Sequence, residues 1–173
     1  VCTGNLSVGG IDADPIDGDQ FIVKVEQDSS TITRKGVTLS QSLKIAGTTT
    51  FNTGSGSVTL NNATNEFSKG IAFTSAGAVS LRNTLATELG YLGENNVATV
   101  SHITGDFTLT SGGNISQEGA ITVDGISTFD LNGSAATDKN IDLSNSANDF
   151  KDLVTVTNAA DVSIRDGNNL SLA

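Results

Sequence analysis

Residues 58–83 and 141–166 carry one design twice, 83 positions apart, and this repetition constrains the fold more than any other feature. The first copy reads VTLNNATNEFSKGIAFTSAGAVSLRN and the second IDLSNSANDFKDLVTVTNAADVSIRD. They align without a gap with nine identities, among them Leu60/Leu143, Asn62/Asn145, Asn65/Asn148, Phe67/Phe150 and Val79/Val162. Each copy also echoes itself: Val58-Thr59-Leu60 returns 21 residues later as Val79-Ser80-Leu81, and Ile141-Asp142-Leu143 returns as Val162-Ser163-Ile164. A period near 20 built from short β-type triplets is the pattern of a chain that coils on itself.

Further triplets fit the same rhythm: Val37-Thr38-Leu39, Leu43-Lys44-Ile45, Thr49-Thr50-Phe51, Ile71-Ala72-Phe73, Phe107-Thr108-Leu109, Ile121-Thr122-Val123, Phe129-Asp130-Leu131, Val154-Thr155-Val156 and Leu170-Ser171-Leu172. Apolar and polar residues alternate within nearly all of them, the period-two code of a half-buried strand. Stacked rung upon rung, they form three ribbons of parallel sheet around an apolar interior. Between them lie corner-like segments, Thr53-Gly54-Ser55-Gly56, Ser75-Ala76-Gly77-Ala78, Ser111-Gly112-Gly113-Asn114 and Asn158-Ala159-Ala160-Asp161. Gly and Asn tolerate the left-handed backbone that such bends use. The repeated Asn62-x-x-Asn65-x-Phe67 and Asn145-x-x-Asn148-x-Phe150 predict one shaped corner closed by a buried Phe, with Asn amides laddered between rungs to satisfy turn backbone.

The expected class is therefore all-β, a right-handed parallel β-helix of about 20–21 residues per rung. The rival is an antiparallel β-sandwich, which shares the short, evenly spaced strands. Six or seven rungs at about 4.8 Å make a rod on the order of 30 Å long. Residues 37–173 form the rungs. Residues 1–36, with the alternating run Gln20 to Glu26, are expected to be an N-terminal cap or linker, because open coil ends need covering. Residues 84–100 interrupt the β pattern, with Leu85, Leu89 and Leu92 at helical spacing, and are expected to be an insertion on one corner. The single tyrosine, Tyr91, sits there.

Composition agrees. Ser, Thr and Asn together make 57 of the 173 residues, with 19 Gly and one Pro, which suits turns and hydrogen-bonded ladders rather than helices. The net charge of −10 argues against nucleic acid or an anionic membrane as partner, since nothing would displace counterions from phosphates. No stretch approaches the roughly 18 apolar residues of a membrane span. Cys2 is the only cysteine, so no intrachain disulfide is expected, and no apolar signal region precedes it.

Candidate chemistry is sparse. Asp12, Asp14, Asp17 and Asp19, with Gly18 among them, place several carboxylates on a Gly-bearing loop, the ligand type Ca²⁺ requires. The spacing departs from the helix-loop-helix calcium motif, and Val23 stands where that motif needs Glu, so a solvated acidic turn is the plainer expectation. Catalysis is not expected. His102 is the sole histidine, no Ser lies in a Gly-x-Ser-x-Gly elbow, and no phosphate-binding Gly loop or Cys/His cluster exists. Arg82 and Arg165 occupy equivalent repeat positions, as do Lys69 and, one residue displaced, Lys151, which implies a structural ladder or surface charge rather than a unique active site. Thr31-Ile32-Thr33 and Thr48-Thr49-Thr50 are candidates for a flat ice-binding face, but Thr-x-Thr does not recur at the rung period. Sequons begin at Asn5, Asn62, Asn114, Asn132 and Asn169, a number that chance explains in so Asn-, Ser- and Thr-rich a chain.

The strings Ala46–Gly54, Val58–Ser68 and Ala78–Asn83 resemble repeats of the large secreted bacterial adhesins of the filamentous-haemagglutinin-like and autotransporter-like kind. The resemblance covers residues 43–83 and 121–173. It implies a right-handed parallel β-helix, export to the bacterial surface, and a role in attachment or fibre formation, with no catalytic residue and no cofactor to transfer. The implied partners are a host or environmental surface, a glycan, or another copy joined end to end. The competing function is a carbohydrate-binding or carbohydrate-cleaving β-helix, recognisable by a groove holding Tyr91 and several carboxylates.

Overall fold

In a computed structural model of the chain, every named strand pair among the described residues is parallel. The one antiparallel contact is an isolated bridge between Leu92 and Ala98. The structure describes residues 11–13, 21–24, 37–38, 42–132 and 138–173. Parallel neighbours 18 to 32 residues apart cannot come from a sandwich of hairpins. The chain is a parallel β-solenoid, as the triplet spacing predicts.

Three faces build each turn. Face one is a six-stranded sheet of Val37–Thr38, Val58–Leu60, Val79–Asn83, Phe107–Ser111, Ser127–Asp130 and Val154–Thr157. Face two holds Ile11–Ala13, Leu43–Ile45, Glu66–Phe67, Thr87–Leu89, Ile115–Gln117, Asn140–Leu143 and Asp161–Ile164. Face three holds Phe21–Lys24, Thr49–Asn52, Ile71–Ser75, Ser101–Ile103, Ile121–Val123 and Asp149–Phe150.

Hydrogen-bonded neighbours alone would split faces two and three differently, into sheets of three, seven and three strands. The cause is one irregular step. Leu89 pairs with Ile71 of face three, joining parts of two faces into the seven-stranded sheet. Face three nevertheless continues across the step: Ala76 bridges Ile103, Ala76 N donates to His102 O at 3.1 Å, and Phe73 N donates to Ser101 Oγ at 3.0 Å.

Register partners along face one run Val37, Val58, Val79, Phe107, Ser127 and Val154, so its turns are 21, 21, 28, 20 and 27 residues long. Along face one the coil holds its cross-section while two turns carry extra chain. One excursion spans Gly90 to Val100, and the other falls between Asp130 and Asn140. Within the expected 84–100 insertion, Thr87–Leu89 is a rung strand paired with Ile115–Gln117, so the excursion starts only at Gly90. Ahead of residue 37, Ile11–Ala13 pairs with Leu43–Ile45 and Phe21–Lys24 with Thr49–Asn52, so the parallel ladder already runs through that segment.

Alternation along each strand fills the interior. Leu43, Ile45, Val58, Leu60, Ile71, Leu81, Ile103, Leu109, Val123 and Leu143 are among the buried core residues. The shaft is also aromatic. Phe51, Phe73, Phe107, Phe129 and Phe150 form a continuous file, with ring centroids 5.4, 5.9, 5.6 and 6.1 Å apart. The first pair is stacked and the others meet edge to face, arrangements worth about 0.5–1.5 kcal/mol per pair beyond area burial. A polar seam runs beside them. Thr87 Oγ1 and Ser111 Oγ lie 2.9 Å apart, and Ser111 Oγ donates to Leu85 O.

The two copies of the duplicated design make the same corner. Asn65 Nδ2 donates to Leu60 O at 2.8 Å while its Oδ1 accepts from Leu43 N at 2.9 Å. Asn148 Nδ2 donates to Leu143 O at 2.9 Å while its Oδ1 accepts from Ile121 N at 3.0 Å. Sixteen residues beyond each Phe, Asn83 Oδ1 accepts from Phe67 N and Asp166 Oδ1 from Phe150 N. Asn65 and Asn148 are buried and cross between rungs to satisfy backbone, as expected, but they do not stack on one another. The amide partner of Asn148 is Gln117, in a reciprocal pair with both bonds 2.9 Å.

The copies nonetheless start on different faces, Val58 on face one and Ile141 on face two. Three turns and a third separate them, not four whole turns, because the long turns absorb residues. Arg82 therefore lies on face one opposite Thr110, whereas Arg165 follows a face-two strand. Lys69 follows a face-two strand and Lys151 a face-three strand. Of the two alternatives, ladder or surface charge, no ladder forms, since equivalent repeat positions fall on different sides of the coil.

Candidate functional site

The excursion after Thr87–Leu89 is the feature of the described surface that departs most from the rung. Gly90 starts it at φ +78, pressed between Thr99 and Gly119: an added Cβ would lie 2.6 Å from Thr99 O and 2.7 Å from Gly119 N. Tyr91 turns back to the coil. It is only 8% exposed, and its hydroxyl meets Thr50 Oγ1 on face three. The arms then pair as a small hairpin: Thr99 N donates to Tyr91 O at 2.8 Å, Leu92 bridges Ala98, and Gly93 N donates to Val97 O at 2.9 Å. At the tip, Glu94–Asn96 is one 3₁₀ turn, and Asn95 and Asn96 both hold left-handed backbone, φ 60 and 58. Asn tolerates that region better than most residues, which explains the Asn-Asn pair.

With Tyr91 facing in, alternation turns Leu92 out. Leu92, Val97 and Val100 are 51, 66 and 55% exposed in a molecule whose core residues are almost wholly covered. Carboxylates flank the base of the hairpin. Glu88 precedes Leu89, and Glu118 N donates to Leu89 O at 2.9 Å. Partial burial raises the Glu88 carboxyl above its ordinary pKa, neighbouring Glu118 raises it further, and Lys69 partly offsets both. Sequence reasoning singled out this stretch by its missing β pattern and its lone Tyr, but Glu88 and Glu118 carried no signal in sequence.

The other predicted residues are scattered. His102 and Thr122 are neighbours in register on face three, and beside them Asp124 takes Lys151 Nζ at 2.7 Å and His102 Nε2 at 3.8 Å. Lys151 lowers the Asp124 pKa, chiefly through its hydrogen bond, and Asp124 raises that of Lys151. These are exposed pairs linking successive rungs, as is Lys44–Glu66 at 3.3 Å on face two. Asp12 occupies a strand position opposite Lys44, while Asp14, Asp17 and Asp19 lie outside the described residues, as do Cys2, Asn5 and Thr31–Thr33. Among the described residues no group of three or more His, Cys, Asp or Glu could hold a metal ion. Also among them, no helix is long and apolar enough to cross a membrane.

A single hydroxyl recurs at the rung period, although Thr-x-Thr does not. Thr38, Thr59, Ser80, Thr108, Thr128 and Thr155 are successive register partners on face one. The column beside them is mixed, with Arg82, Thr110, Asp130 and Thr157 in register, which breaks any flat double row of threonines.

Fold and surface together define a parallel β-solenoid with a hairpin standing off one corner. The chain belongs to the family described as Repeats of unknown function (DUF5649), whose repeats match residues 23–74 and 75–157, most of its length. No curated protein and no solved structure matches it.

Proposed function

We propose that this chain is a stiff, non-enzymatic scaffold segment of a bacterial cell-surface or secreted adhesin, serving attachment or fibre formation. The observation that carries the reading is the unbroken rung-on-rung ladder, continuous through six strands of face one and filled by a file of five Phe rings. Such a rod resists bending because backbone hydrogen bonds hold rung to rung throughout face one, and on the other two faces everywhere but at the one irregular step. Its mechanical task is to hold a binding element, the Gly90–Val100 hairpin, at a fixed distance and orientation. The fibre option draws on the last described rung. There Val162, the register partner of Ile141, is 48% exposed where Ile141 is 1%, an apolar edge that a further rung, of this chain or another copy, would cover.

The carbohydrate reading asked for an exposed aromatic beside several carboxylates. Tyr91 is buried against Thr50, and every Phe whose side chain is described is in the core, so the described surface offers no ring on which a sugar can stack. A glycan array, a calcium titration and incubation with acidic polysaccharides test the proposal together. The scaffold reading expects no turnover and no calcium-dependent change. Saturable binding to one sugar class would give the adhesin its ligand, whereas polysaccharide cleavage would overturn the reading in favour of a carbohydrate-cleaving β-helix.

A further inference from the structure

We infer that the outward face of the Gly90–Val100 hairpin is a docking element for a protein partner whose apolar cleft is rimmed by Lys or Arg. The inference rests on the scaffold reading and names the chemistry of what the scaffold presents.

Three observations converge. The hairpin is preorganised: Tyr91 is buried at its root, Thr99 N bonds Tyr91 O, and Gly90 and Gly119 are packed so closely around Thr99 that no Cβ fits at either position. A rigid element loses little conformational freedom on binding, which favours affinity. Three of its exposed residues are apolar, beside Asn95 and Asn96 at the tip. Leu92 and Val97 flank the 3₁₀ turn, and Val100 ends the returning arm. Folding alone would favour polar residues at such positions, because exposed apolar groups add an aggregation hazard.

The third observation is charge. Glu88 and Glu118 flank the base, and among the described residues the cation acting on Glu88 is Lys69, whose effect is smaller than that of Glu118. An uncompensated negative rim around an apolar centre is complementary to a cationic rim around an apolar cleft, and opposite charges both steer encounter and reject wrong partners. The same rim repels an anionic membrane surface.

The test uses the intact ¹⁵N-labelled chain and a synthetic peptide of alternating Leu and Lys as probe. Amide shifts should concentrate in residues 88–100 and 116–120. The double variant Leu92→Ser/Val100→Ser, at exposed sites, should weaken binding at least about tenfold, and Glu88→Gln/Glu118→Gln should weaken it and flatten its salt dependence. A control peptide of alternating Ser and Lys should bind the hairpin at least about tenfold more weakly. Shifts spread over the acidic coil, equal binding of both peptides, or wild-type affinity in the Ser double variant would overturn the inference. So would binding of the hairpin to phosphatidylglycerol vesicles. Pairwise spin-label distances along face one, measured on the same samples, separate the two claims: a parallel ladder that fails to bind sinks the docking element alone, whereas distances that do not rise by about 5 Å per rung sink the scaffold.

Discussion

Replacing Asn148 by Ala removes one side chain that bonds three segments of backbone at once. Its Oδ1 accepts from Ile121 N, and its Nδ2 donates to Leu143 O at 2.9 Å and Arg165 O at 3.2 Å. Ile121 N lies at a buried bond, so the truncation orphans a donor that water cannot reach, while Leu143 O keeps its bond from Arg165 N at 3.0 Å. An unsatisfied buried group costs roughly 1–3 kcal/mol, and the donor, with no second bond available, costs more than the acceptor. Losing Gln117 as partner adds a part-buried amide pair to the deficit. The expected loss is therefore about 3 kcal/mol. The repeat supplies an internal check: Asn65→Ala orphans Leu43 N in the same way and removes the side-chain bond to Leu60 O, without the Gln pair, and should cost about 2 kcal/mol by the same reasoning. The sites share no partner, so the double variant should equal the sum within about 0.5 kcal/mol. Asn145→Ala, which loses only a local bond from Ala147 N, should cost under about 1 kcal/mol. Urea unfolding measures all four, and amide exchange at Ile121 should accelerate in Asn148→Ala. A loss at Asn148 no larger than that at Asn145 would refute the corner argument.

Asp166→Asn should stabilise the chain by about 1 kcal/mol, because Asp166 Oδ2 is buried without a partner among the described residues where the equivalent Asn83 donates to Phe67 O; thermal unfolding reads it directly. Gly54→Ala should cost about 1–2 kcal/mol, the price of left-handed backbone in open space, whereas Gly112→Ala should cost far more, since its Cβ would fall 1.9 Å from Thr84 O. Urea midpoints that rank these two the other way would contradict the stacking of the corners. Raising the pH through the Lys151 titration should weaken the native state, as the ammonium whose pKa is raised is lost, and lowering it through the Asp124 titration should do the same. Asp124→Asn should abolish both dependences at these residues, followed by NMR titration, with little effect on neutral-pH stability, because exposed pairs contribute little.

The triplets with apolar residues at both inward positions were legible in sequence, and so were the buried Phe67 and Phe150 that close the twin corners. The strands that escaped notice put polar or bulk-poor residues inside. Thr87–Leu89 and Ser101–Ile103 turn a buried Thr and a buried Ser inward, and Ile115–Gln117 ends on the Gln that clasps Asn148. Hydrophobic periodicity cannot report a position whose side chain is satisfied by hydrogen bonds. The third-of-a-turn offset between the copies was hidden because loop length is invisible to a gapless alignment. The register on face one records it at once. For the site, the broken β pattern located the hairpin, but the approach of Glu118 to Leu89 depends on rung stacking and has no local signature.

The central claim is that successive turns lie parallel, one above the next, along face one. Spin labels placed pairwise on its outward column, in a Cys2→Ser background, test this by dipolar distance measurement. From Thr155 to Thr128, Thr108, Ser80 and Thr59, backbone separation should rise steadily by about 5 Å per step, to about 19 Å across four rungs. Distances that fail to rise in that order would contradict the solenoid and everything built on it.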